Sequence, residues 1–223
     1  TDLFVANWIT EGALLANMIS DIENTPFVIS CHATDIWLGG TENIRKRIND
    51  AKFVITCTSN NKKYLDSIVD SKNQKKIFIV NHYLNENTFE SKTSVFNDVP
   101  VFLAVGRMVE KKGFIYLIKA SKILKDKNYT FKVKIAGNPD EETLNLENEI
   151  KNLNLSGVVE ILPKTTFPEI KDEFLNADAL IAPSVKSVTG DRDGIPNVIV
   201  EAGLAGIPVI STKVSAIPEV IEE

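Results

Sequence analysis

A chain of 223 residues with 43% hydrophobic residues has the size for two small domains or one large one, and the composition of an ordinary globular protein. Its formal net charge of −5 argues against a general nucleic-acid binder while leaving room for a local basic site. Cys31 and Cys57 fall far apart in apolar runs, which fits buried reduced thiols in a cytoplasmic protein better than a disulfide framework; no apolar run approaches the roughly 20 residues of a membrane span, and no signal peptide is visible.

Leu3-Phe4-Val5-Ala6-Asn7 reads as a short strand, and residues 11–22 place Ala13, Leu14, Leu15, Met18, Ile19 and Ile22 at helical spacing. Phe27 to His32 is a continuous apolar run of the buried-strand type. After the polar segment 32–37 the pattern predicts a helix over 42–49, a strand at 53–57, a helix over 60–69 and a strand at 76–80. It then stops. Segment 85–94 is polar and aperiodic, so the expected division is a first domain at 1–84, a linker at 85–99 and a second domain at 100–223.

Alternation resumes with strands at 101–105, 131–136, 158–161, 179–182 and 208–210. Helices are predicted between them at 113–126, 141–152, 168–175 and from about Pro196. Apolar strands alternating with helices at these lengths call for right-handed crossovers and parallel sheets. The expected fold class is therefore α/β, with two doubly wound units in tandem.

In open parallel sheets ligands bind beyond the carboxyl ends of the strands, and every polar segment with chemical interest follows a strand. The loop from Gly106 to Phe114 supplies Arg107, Lys111 and Lys112 near a helix start. Arginine offers a bidentate fork and lysine a point charge, a combination suited to a pyrophosphate. The loop has neither the GxGxxG fingerprint nor a P-loop ending. Gly137-Asn138-Pro139 is a tight turn after the next strand.

In the last strand–helix connection, Pro196 suits a helix start, and from Asn197 to Ala205 only Glu201 and Asn197 are polar and larger than alanine. A carboxylate so placed needs a partner. That partner is a buried neighbour or a ligand hydroxyl, and the pattern leaves both open. Asp193 lies upstream on the loop side, and the helix end between the two acids suits a phosphate. In the first unit, His32 and Asp35 follow a strand, and His32 is either structural or placed to orient a reacting hydroxyl. His82 adjoins the linker and reads as structural. With these two histidines far apart in sequence and no clustered cysteines, a protein-built zinc site is not expected. Ser184 lacks a GxSxG elbow, which removes the hydrolase triad.

Taken together, Gly106-Arg107-Met108-Val109-Glu110-Lys111-Lys112-Gly113, the loop Gly190-Asp191-Arg192-Asp193-Gly194-Ile195-Pro196-Asn197, the Glu201-Ala202 helix and Gly206-Ile207-Pro208-Val209-Ile210 resemble the family 4 retaining glycosyltransferases of the GT-B fold. Ser30 to Ile36 resembles that family's acceptor-side histidine segment. The resemblance implies two Rossmann-like domains, both incomplete here: the start at Thr1 and the end at Glu223 read as those of a fragment whose N-terminal Gly-rich loop and C-terminal helices lie outside it.

What the resemblance implies for the residues is specific. Arg107 and Lys112 stabilise a departing nucleoside diphosphate, and Glu201 binds the ribose hydroxyls. Asp193 stands where most relatives carry Glu and faces the transferred sugar. The amides of Gly194, Ile195, Asn197 and Val198, around Pro196, face sugar and phosphate, and His32 lies on the acceptor side. The implied reaction moves a hexose, with retention, from a UDP- or GDP-type sugar to a hydroxyl of a saccharide or lipid-linked saccharide. It needs no metal or cofactor and no nucleic acid. Polysaccharide or lipopolysaccharide biosynthesis in the cytoplasm, with association at the inner membrane face through the absent N-terminal part, is the implied setting. The alternatives are a non-catalytic nucleotide-sugar binding fragment, or another GT-B enzyme such as a nucleotide-sugar epimerase.

Overall fold

The computed structural model describes residues 2–85, 89, 97–162 and 166–221. The linker expected at 85–99 falls mostly outside these. Two compact units emerge. The first contains residues 1–83, 186–195 and 213–223; the second contains 84–185 and 196–212. Segments 186–195 and 213–223, which the sequence pattern placed in the second domain, thus pack with the first, because their side chains find partners there.

The first unit holds β1 (Phe4–Asn7), α1 (Glu11–Glu23), β2 (Phe27–Cys31), α2 (Thr34–Leu38), α3 (Thr41–Asp50), β3 (Val54–Thr56), α4 (Ser59–Ile68), α5 (Ser71–Gln74) and β4 (Ile77–Ile79). Its strands form one parallel sheet in the order β1-β2-β3-β4. Phe27, Ile29, Ile36, Ile44, Ile48, Val54 and Leu65 close the core between sheet and helices. Helix α2 was expected as a polar segment. Its driving force is Asp35, which is buried and whose carboxylate accepts the amides of His32 at 3.0 Å and Ile9 at 2.9 Å. One acid therefore ties together the loops that follow β1 and β2.

The second unit holds β5 (Val101–Val105), α6 (Phe114–Asp126), β6 (Lys132–Ala136), α7 (Thr143–Asn152), β7 (Val159–Ile161), α8 (Phe167–Asn176), β8 (Ala179–Ala182), α9 (Asn197–Ala205) and β9 (Val209–Ser211). The sheet order is β7-β6-β5-β8-β9, all parallel. Chain order runs outward from β5 in one direction and then reverses at β8, which makes the β5/β8 junction a topological switch point, the place where such sheets open a crevice. Among the described residues the first sheet shows no such reversal. Buried Asp178 fixes the start of β5 by accepting the amides of Val101 at 2.8 Å and Asn97 at 3.1 Å. Leu103, Ala104, Ile118, Val133, Ile135 and Leu180 are fully or nearly fully buried around it.

Candidate functional site

Three strand-end loops of the second unit meet through glycines. At Gly137 (φ 137°) a Cβ would lie 2.1 Å from the Gly106 carbonyl oxygen, so the turns after β5 and β6 touch backbone to backbone. At Gly113 (φ 67°) a Cβ would lie 1.9 Å from the Pro183 oxygen, which brings the turn after β5 against the end of β8. Only glycine permits either approach. Hydrogen bonds stitch the same loops: Gly106 N donates to Ala136 O at 2.9 Å, Met108 N to Asn138 O at 3.1 Å, and Val185 N to Lys111 O at 2.9 Å.

The scaffold separates the two lysines of the loop. Lys111 is buried, whereas the stem of Lys112 lies over Gly106, its Cε 3.0 Å from where a Cβ would stand. Gly106 in turn lines a cleft of about 310 Å³ together with Arg107, Gly137, Asn138, Ile170, Val198 and Glu201. Arg107 and Glu201, 94 positions apart in sequence by subtraction of their numbers, thus share one wall. Among the described residues Arg107 makes one ion pair, Nη1 to Asp140 Oδ2 at 3.3 Å, with its side chain 60% exposed. Such a surface pair is worth about 0–1 kcal/mol, so an incoming phosphate can take over the guanidinium at small cost.

Helix α9 enters this cleft by its N-terminus. Pro196 stands just before it with extended ψ of 128°, and no side chain caps the first turn. The first amides of a helix have no intrahelical acceptor, and the helix dipole adds positive potential there. Buried Ile199, Ala202 and Ala205 hold the helix to the sheet, leaving Glu201 half-buried on the cleft side. Burial raises its carboxyl above the usual carboxylate value, and the Lys112 charge partly offsets that. The cleft therefore presents cationic groups, the side-chain-uncapped first turn of α9 and one desolvated carboxylate. That set matches a nucleoside diphosphate, with phosphates at one end and hydroxyls at the other. A larger hollow of about 430 Å³, lined by Lys132, Lys134, Glu147, Lys151 and Glu160, lies along β6 and β7 and gathers no comparable set.

Asp193, Gly194 and Ile195 are not in this cleft's unit; they belong to the first, with His32. Their loop is fastened there by Arg192, whose Cζ lies 3.4 Å from the Trp37 ring centroid, with Trp37 in turn 4.8 Å from Tyr64. Within the loop Ser187 N donates to Asp191 O at 2.9 Å and Gly190 N to Ser187 O at 3.0 Å. Sequence reasoning gave Arg192 no part, although an arginine beside a Gly-rich loop is a signal for stacking. It also missed Asp140, and it read Asn138 only as part of a tight turn.

His32 stands directly after β2. Its Nδ1 is 3.0 Å from His82 Nε2, and the Trp8 ring meets it edge-on with centroids 5.2 Å apart. The histidines are 50 positions apart, yet β4 brings His82 back beside β2 and β3, and Cys57 joins them. Distance in sequence gave no measure of distance in the sheet. Burial lowers the His32 pKa, and His82 lowers it further against the opposing pull of Asp35, so the imidazole is held toward its neutral form.

Residues 85–223 match the family described as Glycosyl transferases group 1. The chain belongs to that family. The chain is 38% identical over 120 residues to the amylovoran biosynthesis glycosyltransferase AmsK of Erwinia amylovora, covering 54% of this chain and 29% of that one. An uncharacterized glycosyltransferase of Methanocaldococcus jannaschii is 30% identical over 182 residues, covering 77% of this chain and 42% of the relative. The chain thus spans less than half the length of either. Among solved structures, HepE of Anabaena in complex with UDP-glucose superposes with a TM-score of 0.79 at 20% identity, over 100% of this chain and 62% of that one. Sucrose-phosphate synthase from Thermosynechococcus elongatus gives 0.79 at 17% identity, over 96% and 56%. At these identities the likeness shows the fold, and the fold is GT-B.

Proposed function

We propose that the parent protein is a retaining hexosyltransferase using a UDP- or GDP-type sugar, and that this chain carries its donor site. The observation that supports this most is the single cleft at the switch point of the second unit, where Arg107, Glu201 and the α9 N-terminus meet with Lys112 over its floor. Arg107 and Lys112 meet the diphosphate, the α9 amides add donors to it, and Glu201 accepts the two ribose hydroxyls. As the bond from the anomeric carbon to the diphosphate oxygen breaks, negative charge grows on that oxygen. Preorganised cations and amides stabilise it there without a metal. An acceptor hydroxyl forms the new bond to the anomeric carbon from the face that the diphosphate leaves, and its proton passes to the departing diphosphate oxygen. By the family resemblance Asp193 serves the sugar and His32 the acceptor.

HepE is solved with UDP-glucose and AmsK is described in amylovoran biosynthesis. Both accord with a nucleotide-sugar donor and an acceptor in surface-polysaccharide assembly, saccharide or lipid-linked, on the cytoplasmic side of a membrane. Among the described residues no helix is long and apolar enough to cross a membrane, so contact with a lipid-linked acceptor is peripheral in this reading.

Calorimetric titration of the chain with UDP and with GDP tests the donor site. Binding of either one, weakened at least about tenfold by Arg107→Ala, is the expected outcome, of the size of a lost charge-assisted contact. Failure of both to bind would overturn the assignment. For the reaction, the parent protein is given donor and acceptor and the product anomer is read by NMR. Inversion at the anomeric carbon refutes retention, and donor conversion without acceptor identifies an epimerase instead.

A further inference from the structure

The carboxyl ends of β2, β3 and β4 bring together three side chains that the donor site does not use as a group. His32 is the first residue after β2, and Cys57 is the first after β3. Since Cys31 pairs with Thr56 in the sheet register, the two stand side by side. His82 follows β4 by a short extended stretch that stays attached to the sheet, with Val80 N donating to Thr56 O at 2.8 Å and Asn81 Nδ2 to Cys57 O at 3.0 Å. One ligand atom from each of the three lies within 4.8 Å of the others, and the two ring nitrogens are 3.0 Å apart.

We propose that His32, Cys57 and His82 form a binding site for a transition-metal ion of the zinc class.

The donor set decides the class. Two imidazoles and a thiolate suit zinc and its neighbours, while magnesium and calcium require oxygen ligands. Metal–nitrogen bonds of about 2.0–2.1 Å and a metal–sulfur bond of about 2.3 Å place the donor atoms of a tetrahedral centre roughly 3.3–3.7 Å apart. The histidine pair is already near that spacing. The remaining contraction falls on Cys57, which is half-exposed, and on the exposed His82, so side-chain rotation is enough. The backbone beneath is fixed: the His32 carbonyl accepts Asn61 Nδ2, and the His32 amide donates to Asp35. Two carboxylates add negative potential, because Asp35 acts on both His32 and Cys57 and Glu219 acts on Cys57. Glu219 is itself held by the amides of Ser59 at 2.9 Å and Asn60 at 2.7 Å.

The ion takes the place of the hydrogen shared between His32 Nδ1 and His82 Nε2; that proton passes through solvent to the other nitrogen of the ring that donated it, so both rings stay neutral with their N–H pointing away from the ion. Cys57 gives up its thiol proton to solvent. With three protein ligands the fourth position stays open to water, as in sites that are not purely structural.

Cobalt(II), followed by zinc competition, tests this on the intact chain. The expected spectrum has a near-ultraviolet thiolate-to-cobalt charge-transfer band and visible bands of tetrahedral strength. Zinc is expected to release about one proton per ion, read as the buffer dependence of the binding heat. It is also expected to slow alkylation of Cys57 while leaving Cys31 unchanged, since Cys31 is fully buried with its Sγ donating to Ile55 O. Cys57→Ser and His82→Gln should each weaken zinc binding by about tenfold or more. His82→Gln lies on the surface and keeps the fold, so it remains decisive if the cysteine variant is unstable. A cobalt complex without the thiolate band, or zinc affinity unchanged in His82→Gln, would reduce the cluster to a hydrogen-bonded histidine pair and overturn the site.

Discussion

Gly137 and Gly203 make opposite predictions from the same substitution. A methyl group at Gly137 would meet the Gly106 oxygen at 2.1 Å with φ at 137°, and neither the turn nor the strand end can give way. Gly137→Ala is therefore expected to destabilise the second unit by about 1–3 kcal/mol and to abolish UDP binding, read by denaturant unfolding and calorimetry. Gly203, inside α9, has nothing within 4 Å of where a methyl group would stand and an ordinary helical φ. Gly203→Ala should stabilise by about 0.5–1 kcal/mol through the unfolded chain.

Lys112 and Glu201 divide the charge of the cleft. Lys112→Ala in the parent protein is expected to lower turnover at saturating donor by about 10²–10³, the usual loss for one preorganised donor to a developing anion, while circular dichroism stays unchanged. Near-normal turnover would remove Lys112 from leaving-group stabilisation. Glu201 acts on stability in the opposite sense. Its carboxyl holds its proton more firmly in the folded state than in the unfolded one, because burial outweighs the Lys112 field. Between the ordinary carboxylate value of 4.5 and the raised folded value, the folded state binds more protons. Stability therefore falls as pH rises through that window and stays lowered above it. Glu201→Gln is expected to raise the melting temperature at pH 7, to lose that advantage below the window, and to weaken UDP binding throughout.

At the scale of elements, the loop 186–195 depends on one stack. Arg192 over Trp37, backed by Tyr64, joins this loop to α2 and α4 of the first unit. A partly desolvated guanidinium on an indole face contributes about 1–2 kcal/mol. Arg192→Ala should destabilise by about that amount and shift tryptophan emission, and Arg192→Lys should recover little, because an ammonium lacks the planar face. Helix α9 shows a different economy: it has no polar outer face, and its sequence looks like a core helix, yet Val200 is 39% exposed. Its apolar character serves packing on β8 and β9 on one side and lining the cleft, through Val198, on the other.

At the scale of the molecule, two separate hydrophobic cores mean that a ligand of one unit reports on that unit. Hydrogen exchange with UDP present should slow at 105–113, 137–143 and 196–202, while the amides of β2 and β3 keep their rates. With free UDP at about one hundred times its Kd the added stability is about 2.7 kcal/mol. Uniform slowing across both sheets would contradict a UDP site built from Arg107, Lys112, Glu201 and the α9 N-terminus of the second unit.

The sequence by itself determined the order of strands and helices, because buried parallel strands are short apolar runs and their crossovers carry helical periodicity. It also determined the two strand-end segments that hold Arg107, Lys112 and Glu201, since glycines, cations and a lone acid in an apolar helix are visible without coordinates. Helix α2 was hidden because Asp35, besides accepting the nearby His32 amide, is held by the Ile9 amide 26 residues away, a contact that local propensity does not report. The sharing of one cleft by Arg107 and Glu201, the return of segment 186–195 to the first unit, and the meeting of His32, Cys57 and His82 were decided only by tertiary structure. Those three facts depend on strand order and on which loop finds a partner. Both follow from long-range pairing, to which neither periodicity nor spacing along the chain is sensitive.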